Sequence, residues 1–301
     1  SETLKSLFIK NGVLKKSGDL FINKDFSSFL EQFIYEDPEE FYKYEVCPLL
    51  YNTIKGGGIV SLKNLQEYTP ETRAPLTTQY HNHTIFMNPH PSTGGALVAE
   101  GLKELNKLTA VSKQDLERAL YKMRIIKEKD MVGSTTHLSV MDKKNNVASV
   151  TTTNGVGAGF LIPGTGIMPN NMLGEKHLNI HGFHKWESKQ RIPSNICPTL
   201  MMDNNDKLTV LGSAGSSRII SALTSVITNL INGKMTLEAA ISSPRIHLEG
   251  EILHCEPTIS PTKYQTKDLV LWEEKSMYFG GVNACSFSES IADERRDGFS
   301  I

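Results

Sequence analysis

The feature that most constrains this chain is a change of residue pattern near position 134. From Thr135 to Met141 β-type residues alternate along Thr-Thr-His-Leu-Ser-Val-Met, and Val147 to Thr153 forms a second β-rich run. Asp142 to Asn146 between them is polar. Side chains along a strand point to opposite faces in turn, so two such runs joined by a short polar turn read as a β-hairpin. A loop rich in Gly and Pro follows, from Asn154 to Asn171. Leu208 to Leu211 is a short strand that runs into Gly212-Ser213-Ala214-Gly215-Ser216-Ser217. Behind it Ile219, Ile220, Leu223, Val226, Ile227 and Leu230 recur at helical spacing. Ile252 to Cys255 and Leu269 to Trp272 are further strand candidates.

Upstream of this change the pattern is mainly helical. Asp25 is placed to cap a helix that carries Phe26, Phe29, Leu30 and Phe33. Asp37-Pro38 starts another, through Phe41, Val46, Leu49, Leu50 and Ile54, which Gly56 to Gly58 stop. Pro48 inside that run is expected to kink or divide it. Ser61 to Leu65 reads as a short helical turn and His83 to Met87 as a strand. Ser92 or Thr93 is expected to cap a helix through Leu97, Val98, Leu102 and Leu105. Ser112 to Asp115 resembles a capping box, opening a helix that runs to about Lys127. The expected class is therefore α+β, with residues 1–134 mainly helical and residues 135–301 the mixed, catalytic portion.

Composition excludes several function classes. Net charge is −1, which gives no long-range attraction to nucleic acid or anionic membrane. No apolar run approaches the ~18 residues of a membrane span. Ser1 to Gly18 mixes Lys with apolar residues and does not read as a signal peptide, which leaves both a cytoplasmic and an exported protein open. Cys47, Cys197, Cys255 and Cys285 are too scattered for metal or redox spacing and read as buried thiols. His81-Asn82-His83 is a weak metal signature, and Gly212 to Ser217 lacks the Gly-Lys-Ser/Thr ending of a phosphate loop, so no metal or cofactor is expected.

The start of the hairpin carries the chemistry. Two adjacent Thr at a strand start are ordinary β-branched residues. A Thr hydroxyl becomes a good nucleophile, however, when the residue is N-terminal and its own α-amine serves as base. That amine titrates near pH ~8, so a useful fraction is neutral at physiological pH. An internal Thr135 reaches that state only if the chain is cut between Ser134 and Thr135.

In several collinear segments the chain resembles the gamma-glutamyltransferase family of N-terminal-nucleophile (Ntn) hydrolases. Thr135 to Asp142 is similar to the start of that family's small subunit, and Val147 to Thr153 to its second strand. Pro163-Gly164-Thr165-Gly166-Ile167, with Asn170-Asn171 after it, resembles another segment. Gly212 to Ile220 resembles Gly-Ser-Pro-Gly-Gly-Ser-Arg-Ile-Ile. Pro244 to His247, Phe279 to Val282 and Ala292 to Gly298 follow in order, and Asn88 to Gly95 resembles a Pro-rich Ser-Ser-Gly-Gly segment of the large subunit. The resemblance implies an αββα four-layer sandwich and a precursor that yields large and small subunits. It implies Thr135 as nucleophile, Thr153 as its hydrogen-bonding partner, and the backbone N–H groups of Gly215 and Ser216 as oxyanion hole. Ser216 stands where the family has Gly, and a positive φ there would make Ser costly. Glu175 aligns with the acidic residue that holds the substrate α-amino group, with Asn154 a second candidate. Ser194 and Asn195 align with a Ser-Ser pair at the α-carboxylate. Read without the resemblance, Glu175 is a solvated carboxylate, Asn154 a turn residue and Ser194 a helix cap.

The implied reaction is hydrolysis or transfer of gamma-glutamyl amides such as glutathione, to water, an amino acid or a peptide. The family's large subunit begins well before the segment matching Ser1, and an Arg in that earlier part pairs with the α-carboxylate. No residue here matches it, so the chain is expected to be a fragment of a longer precursor or a shortened relative. Two rivals stand beside the gamma-glutamyl reading: a related acylase acting on glutaryl β-lactams or polyglutamate, and a silent, uncleaved homologue that serves as a binding or assembly protein.

Overall fold

The computed structural model describes residues 2–16, 18–55, 60–123, 135–175, 178–179, 182–260, 264–266 and 268–301. The chain packs as two compact units, residues 1–72 with 157–171, and residues 73–156 with 172–301. This division by packing is a different one from the boundary read at residue 134, which rests on the change of residue pattern there.

The first unit is mainly helical. Helix α1 (Glu2–Phe8) leads into a ribbon of β1 (Ile9–Lys10) and β2 (Val13–Leu14). Helix α2 (Lys24–Tyr35) is capped by Asn23, whose side chain accepts from the Phe26 N–H, and not by Asp25, which lies inside the first turn. Asn23 also donates to the Gly166 carbonyl at 2.9 Å, tying the 157–171 loop to the helix. Asp37 caps α3 (Pro38–Phe41) as expected. Pro48 has no N–H, and the helix responds with a widened π turn over Tyr42–Val46, where the Cys47 N–H reaches back five residues to Tyr42. Helix α4 (Cys47–Ile54) and α5 (Leu62–Gln66) complete the unit, α5 with a capping box between Ser61 and Asn64. The Gly56 to Gly58 stop lies outside the described residues.

The second unit is built on a six-stranded antiparallel sheet. Its strands are β3 (Leu76–Tyr80), β4 (His83–Met87), β7 (Thr199–Asp203), β8 (Leu208–Ala214), β12 (Gly281–Ser286) and β13 (Ser290–Ile291), in the order β13-β12-β8-β7-β4-β3. His81 and Asn82 turn the chain between β3 and β4. The hairpin is present as read, β5 (Thr135–Met141) against β6 (Val147–Thr153). On one face of the large sheet Ile85, Met87, Met201, Leu211, Val282 and Ala284 join a core with helices α6 (Gly94–Leu105), α7 (Lys113–Lys122), α8 (Arg218–Ile231) and α9 (Leu237–Ser242). A small sheet of β9 (Ile246–Glu249), β10 (Ile252–Cys255) and β11 (Asp268–Leu271) adds Ile246, Leu253 and Cys255 to the same core. Helix α8 carries the largest share, with every residue from Arg218 to Thr228 buried.

The hairpin lies on the opposite face of the sheet. Ser149 Oγ donates to the Leu211 carbonyl and Ser139 Oγ to the Asn283 carbonyl, both at 3.1 Å, while Asn283 Nδ2 donates to the His137 carbonyl at 3.0 Å. Helices, sheet and hairpin make three successive layers. The hairpin's outer face carries Leu138, Val140 and Val150, 56, 44 and 45% exposed. The unit's helices are committed to the other face of the sheet.

Two capping expectations resolve differently. Ser112 and Asp115 form the capping box of α7, which is described as far as Lys122. Thr93 precedes α6 but caps it with no side-chain hydrogen bond. Thr93 Oγ1 donates instead to the Ser194 carbonyl and Asn195 Oδ1, and Ser92 Oγ to the carbonyls of Ser194 and Ile196. All four cysteines are buried and free.

Candidate active site

The hairpin's first residue sits at the centre of the site. Thr135 is paired with Thr153 across the ribbon and is 7% exposed. Its Oγ1 donates to Thr153 Oγ1 at 3.1 Å, and Thr153 Oγ1 also accepts from the Gly155 N–H at 3.1 Å. A hydroxyl that donates to a fixed acceptor has a more electron-rich oxygen. Ser134 lies outside the described residues.

Two residues along, His137 turns to the same face and is buried. Its ring nitrogens engage Thr151 Oγ1 and Ser139 Oγ, each at 2.9 Å. Burial pushes its pKa down to about 4, so the imidazole is neutral near pH 7. Both partners belong to the hairpin, so His137 braces its two strands against each other and is not placed as the base for Thr135. Gly212 makes room for it: a Cβ there would lie 2.2 Å from His137 Cε1.

The turn after β8 brings the second group. Gly215 has φ +130°, and a Cβ on it would meet Gly280 Cα at 2.8 Å, so only glycine fits. Ser216 follows at φ +55°, in the left-handed region where a non-Gly residue costs on the order of 1 kcal/mol or more. The positive φ that would make Ser costly at this place is thus present. The N–H groups of Gly215 and Ser216 donate to no acceptor among the described residues, and helix α8 begins two residues on. Gly280 itself is held from behind, because Arg245 Nη1 donates to its carbonyl at 3.0 Å. Arg245 is locked in turn by Asp293 at 2.6 Å, while Arg295 pairs with both Asp293 and Glu256 in a fully buried network. Burial pushes the Asp293 carboxyl up, but the two guanidinium groups and the Val282 N–H more than offset it, leaving it below the usual range.

Thr135, Thr153, Glu175, Ser194, Asn195 and Ser216 line one small, open cleft. Met172, Leu178, Ile196 and Ile219 form its apolar wall, which the sequence reading did not single out. Glu175 reaches the hairpin end because Gly155, at φ +60°, has no side chain; a Cβ there would lie 2.1 Å from Glu175 Oε1. Ser194 is in an irregular segment and caps no helix. Its carbonyl accepts from the Thr93 N–H at 2.8 Å, and its Oγ lies 3.3 Å from Ser92 Oγ. Asn195 is 7% exposed, and its Nδ2 has no partner among the described residues. Asn154, next to Thr153, is exposed and outside the lining. The Ser92 and Thr93 hydroxyls are the support that sequence reasoning assigned elsewhere; their place in the Asn88 to Gly95 segment was the available signal.

The family model described as gamma-glutamyltranspeptidase matches residues 1–129 and 118–298. The chain belongs to the gamma-glutamyltranspeptidase family. It is similar to the glutathione hydrolase proenzyme of Pseudomonas sp. (strain A14), 25% identical over 308 residues that cover 80% of this chain and 54% of that protein. It is also similar to the acylase ACY 1 proenzyme of Pseudomonas sp. (strain SE83), 25% identical over 95% of this chain and 61% of that protein. The chain spans about half the length of the curated glutathione hydrolases it matches. Among solved structures the cephalosporin acylase from Bacillus halodurans superposes with a TM-score of 0.82 at 18% identity, covering 99% of this chain and 66% of that one. The Ntn-hydrolase fold of the gamma-glutamyltranspeptidases and their acylase relatives is therefore the fold of this chain. No helix among the described residues is long and apolar enough to cross a membrane.

Proposed function

We propose that this gamma-glutamyltranspeptidase-family protein is an enzyme that cuts its own chain between Ser134 and Thr135 and then hydrolyses or transfers gamma-glutamyl groups with Thr135. The observation that carries the reading is the placement of Thr135 Oγ1, 3.1 Å from Thr153 Oγ1, in a cleft that also holds Glu175 and Ser216. The relatives are named proenzymes, and cleavage here leaves two subunits from one precursor.

In this mechanism the freed α-amine of Thr135 takes the proton of Oγ1 as the oxygen attacks the amide carbonyl carbon. The developing oxyanion is met by the N–H groups of Gly215 and Ser216, each worth roughly 3–4 kcal/mol when preorganised. The protonated amine returns its proton to the leaving nitrogen, the C–N bond breaks, and a glutamyl ester remains on Thr135. Water, an amino acid or a peptide then attacks that ester by the reverse proton path and restores the free Thr135. Glu175 receives the substrate α-ammonium, and Ser194 with the Asn195 amide receives the α-carboxylate. Asn154, exposed beside Thr153, is the second candidate for the ammonium.

The acylase reading is the second one, favoured by the acylase ACY 1 proenzyme matching 95% of this chain. Glu175 decides between them, since a carboxylate in the cleft attracts an ammonium and repels a glutaryl carboxylate placed there. Turnover of a gamma-glutamyl anilide and of its glutaryl counterpart, which lacks only the amino group, is the test. Preference for the glutamyl compound, abolished in Thr135→Ala, is expected. Preference for the glutaryl compound would move the protein to the acylases, and a chain that stays uncut and turns over neither would leave the silent, uncleaved homologue.

A further inference from the structure

We propose that the side-chain hydroxyl of Ser216 is itself a donor to the oxyanion, a third group beside the N–H groups of Gly215 and Ser216. The inference deepens the reading of Thr135 as nucleophile and rests on it. Three observations meet on this residue. Ser216 lines the same cleft as Thr135. Its backbone is at φ +55°, a conformation natural to glycine and strained for serine. Its Oγ is shut off from solvent and has no hydrogen-bond partner among the described residues.

The neighbouring hydroxyls on the turn behave differently. Ser213 Oγ donates to the Ala214 carbonyl, and Ser217 Oγ accepts from Arg218 Nη1. Ser216 Oγ alone of the three is left over, and it is the one in the cleft. A second orphaned donor, Asn195 Nδ2, belongs to another residue of the same lining. Buried polar groups are nearly always paired, and strain and unpaired polar atoms concentrate where a ligand completes the bonding. The segment otherwise resembles one with glycine at this position, and glycine would carry neither cost. The hydroxyl has one torsion and three staggered settings, so it can turn toward an oxygen bound next to its own N–H. It forms no covalent bond and keeps its proton; it donates a hydrogen bond that strengthens as the amide oxygen gains charge. Such a donor acts on kcat more than on KM, because the bond is stronger in the transition state than in the ground state.

The test compares the cleaved wild-type protein with Ser216→Ala and Ser216→Gly, reading kcat and KM on a gamma-glutamyl anilide together with the thermal midpoint. Both variants are expected to lose roughly tenfold to a hundredfold in kcat with KM nearly unchanged. Ser216→Gly is expected to melt higher than wild type, since it relieves the left-handed backbone, and that gain separates catalysis from folding. A Ser216→Gly enzyme as fast as wild type would overturn the proposal and make Ser216 a tolerated substitute for glycine. A loss confined to Ser216→Ala would overturn it too, by assigning the effect to the backbone. Wild-type protein that is cleaved but turns over nothing would instead sink the reading of Thr135, and this role of Ser216 with it.

Discussion

Replacing Gly155 by Ala is a perturbation whose effects on stability and on function should part company. Gly155 sits at φ +60°, and the new Cβ would lie 2.1 Å from Glu175 Oε1, 3.0 Å from its Cδ and 3.3 Å from Met172 Sδ. Ordinary contact begins near ~3.5 Å, so the carboxylate must retreat by about 1 Å or more. Because the obstructing atom is the far end of a flexible side chain, that movement is cheap in energy. Placing Ala in the left-handed region costs about 1–2 kcal/mol, offset in part by a stiffer unfolded chain worth about 0.4–1 kcal/mol. The net loss is on the order of 1 kcal/mol, a few degrees in Tm for a chain of this size. Function is less forgiving. A direct carboxylate–ammonium hydrogen bond is worth about 1.5–3 kcal/mol, and a shift of about 1 Å removes it. The gamma-glutamyl anilide should therefore lose roughly tenfold to a hundredfold in kcat/KM, while the glutaryl anilide, which has no ammonium, should be nearly unaffected. The two substrates are assayed side by side on wild type and Gly155→Ala. An equal loss on both, or no loss on the glutamyl compound, would refute the placement of Glu175 against the amino group.

Two further predictions concern what holds the site. His137 is held at about 4 when folded against roughly 6.5 when unfolded, so the unfolded chain takes up the proton first as pH falls. The stability this group contributes is complete above pH ~6.5 and drops by about 1.4 kcal/mol per unit down to about pH 4; denaturant titrations at pH 7 and pH 5 should show that loss in wild type and a smaller one in His137→Gln. Asp293→Ala leaves Arg245 without its carboxylate in a fully buried network, and should cost about 3–5 kcal/mol, seen as a large fall in the denaturant midpoint; a change under ~1 kcal/mol would show that the network does not hold Gly280 behind the Gly215–Ser216 turn.

The hairpin was legible because each of its faces meets a different environment, so period two is written into Thr135 to Thr153. The sheet it lies on was much less so. Strand β12 reads Gly-Val-Asn-Ala-Cys-Ser and is largely buried, so it shows no polar alternation. Strand β7 carries two Met and β3 two Thr and a Gln, residue choices set by their neighbours in the sheet rather than by strand propensity. Strand β8 runs on to Ala214 because Gly212 to Ala214 pair with Gly281 to Asn283, a partner far away in sequence. The caps divide in the same way. Ser61 and Ser112 bond within their own turns, as local reading expects, while Ser92 and Thr93 bond to residues 194–196, about a hundred positions on. Of the candidate residues, Thr135, Thr153, Glu175, Ser194, Asn195 and Ser216 were named from segments spread over 82 positions and line one cleft. The conformation of Ser216 was visible only as a question, because φ is set by the crossing of Gly215 and Gly280.

The central claim is that Thr135 becomes an N-terminal nucleophile, and intact mass with N-terminal sequencing of the purified protein tests it most directly. Two fragments, one beginning Thr-Thr-His-Leu, with Thr135→Ala remaining a single chain, are the predicted result. Wild-type protein that stays whole after long incubation, or that is cut elsewhere while retaining gamma-glutamyl turnover, would contradict it.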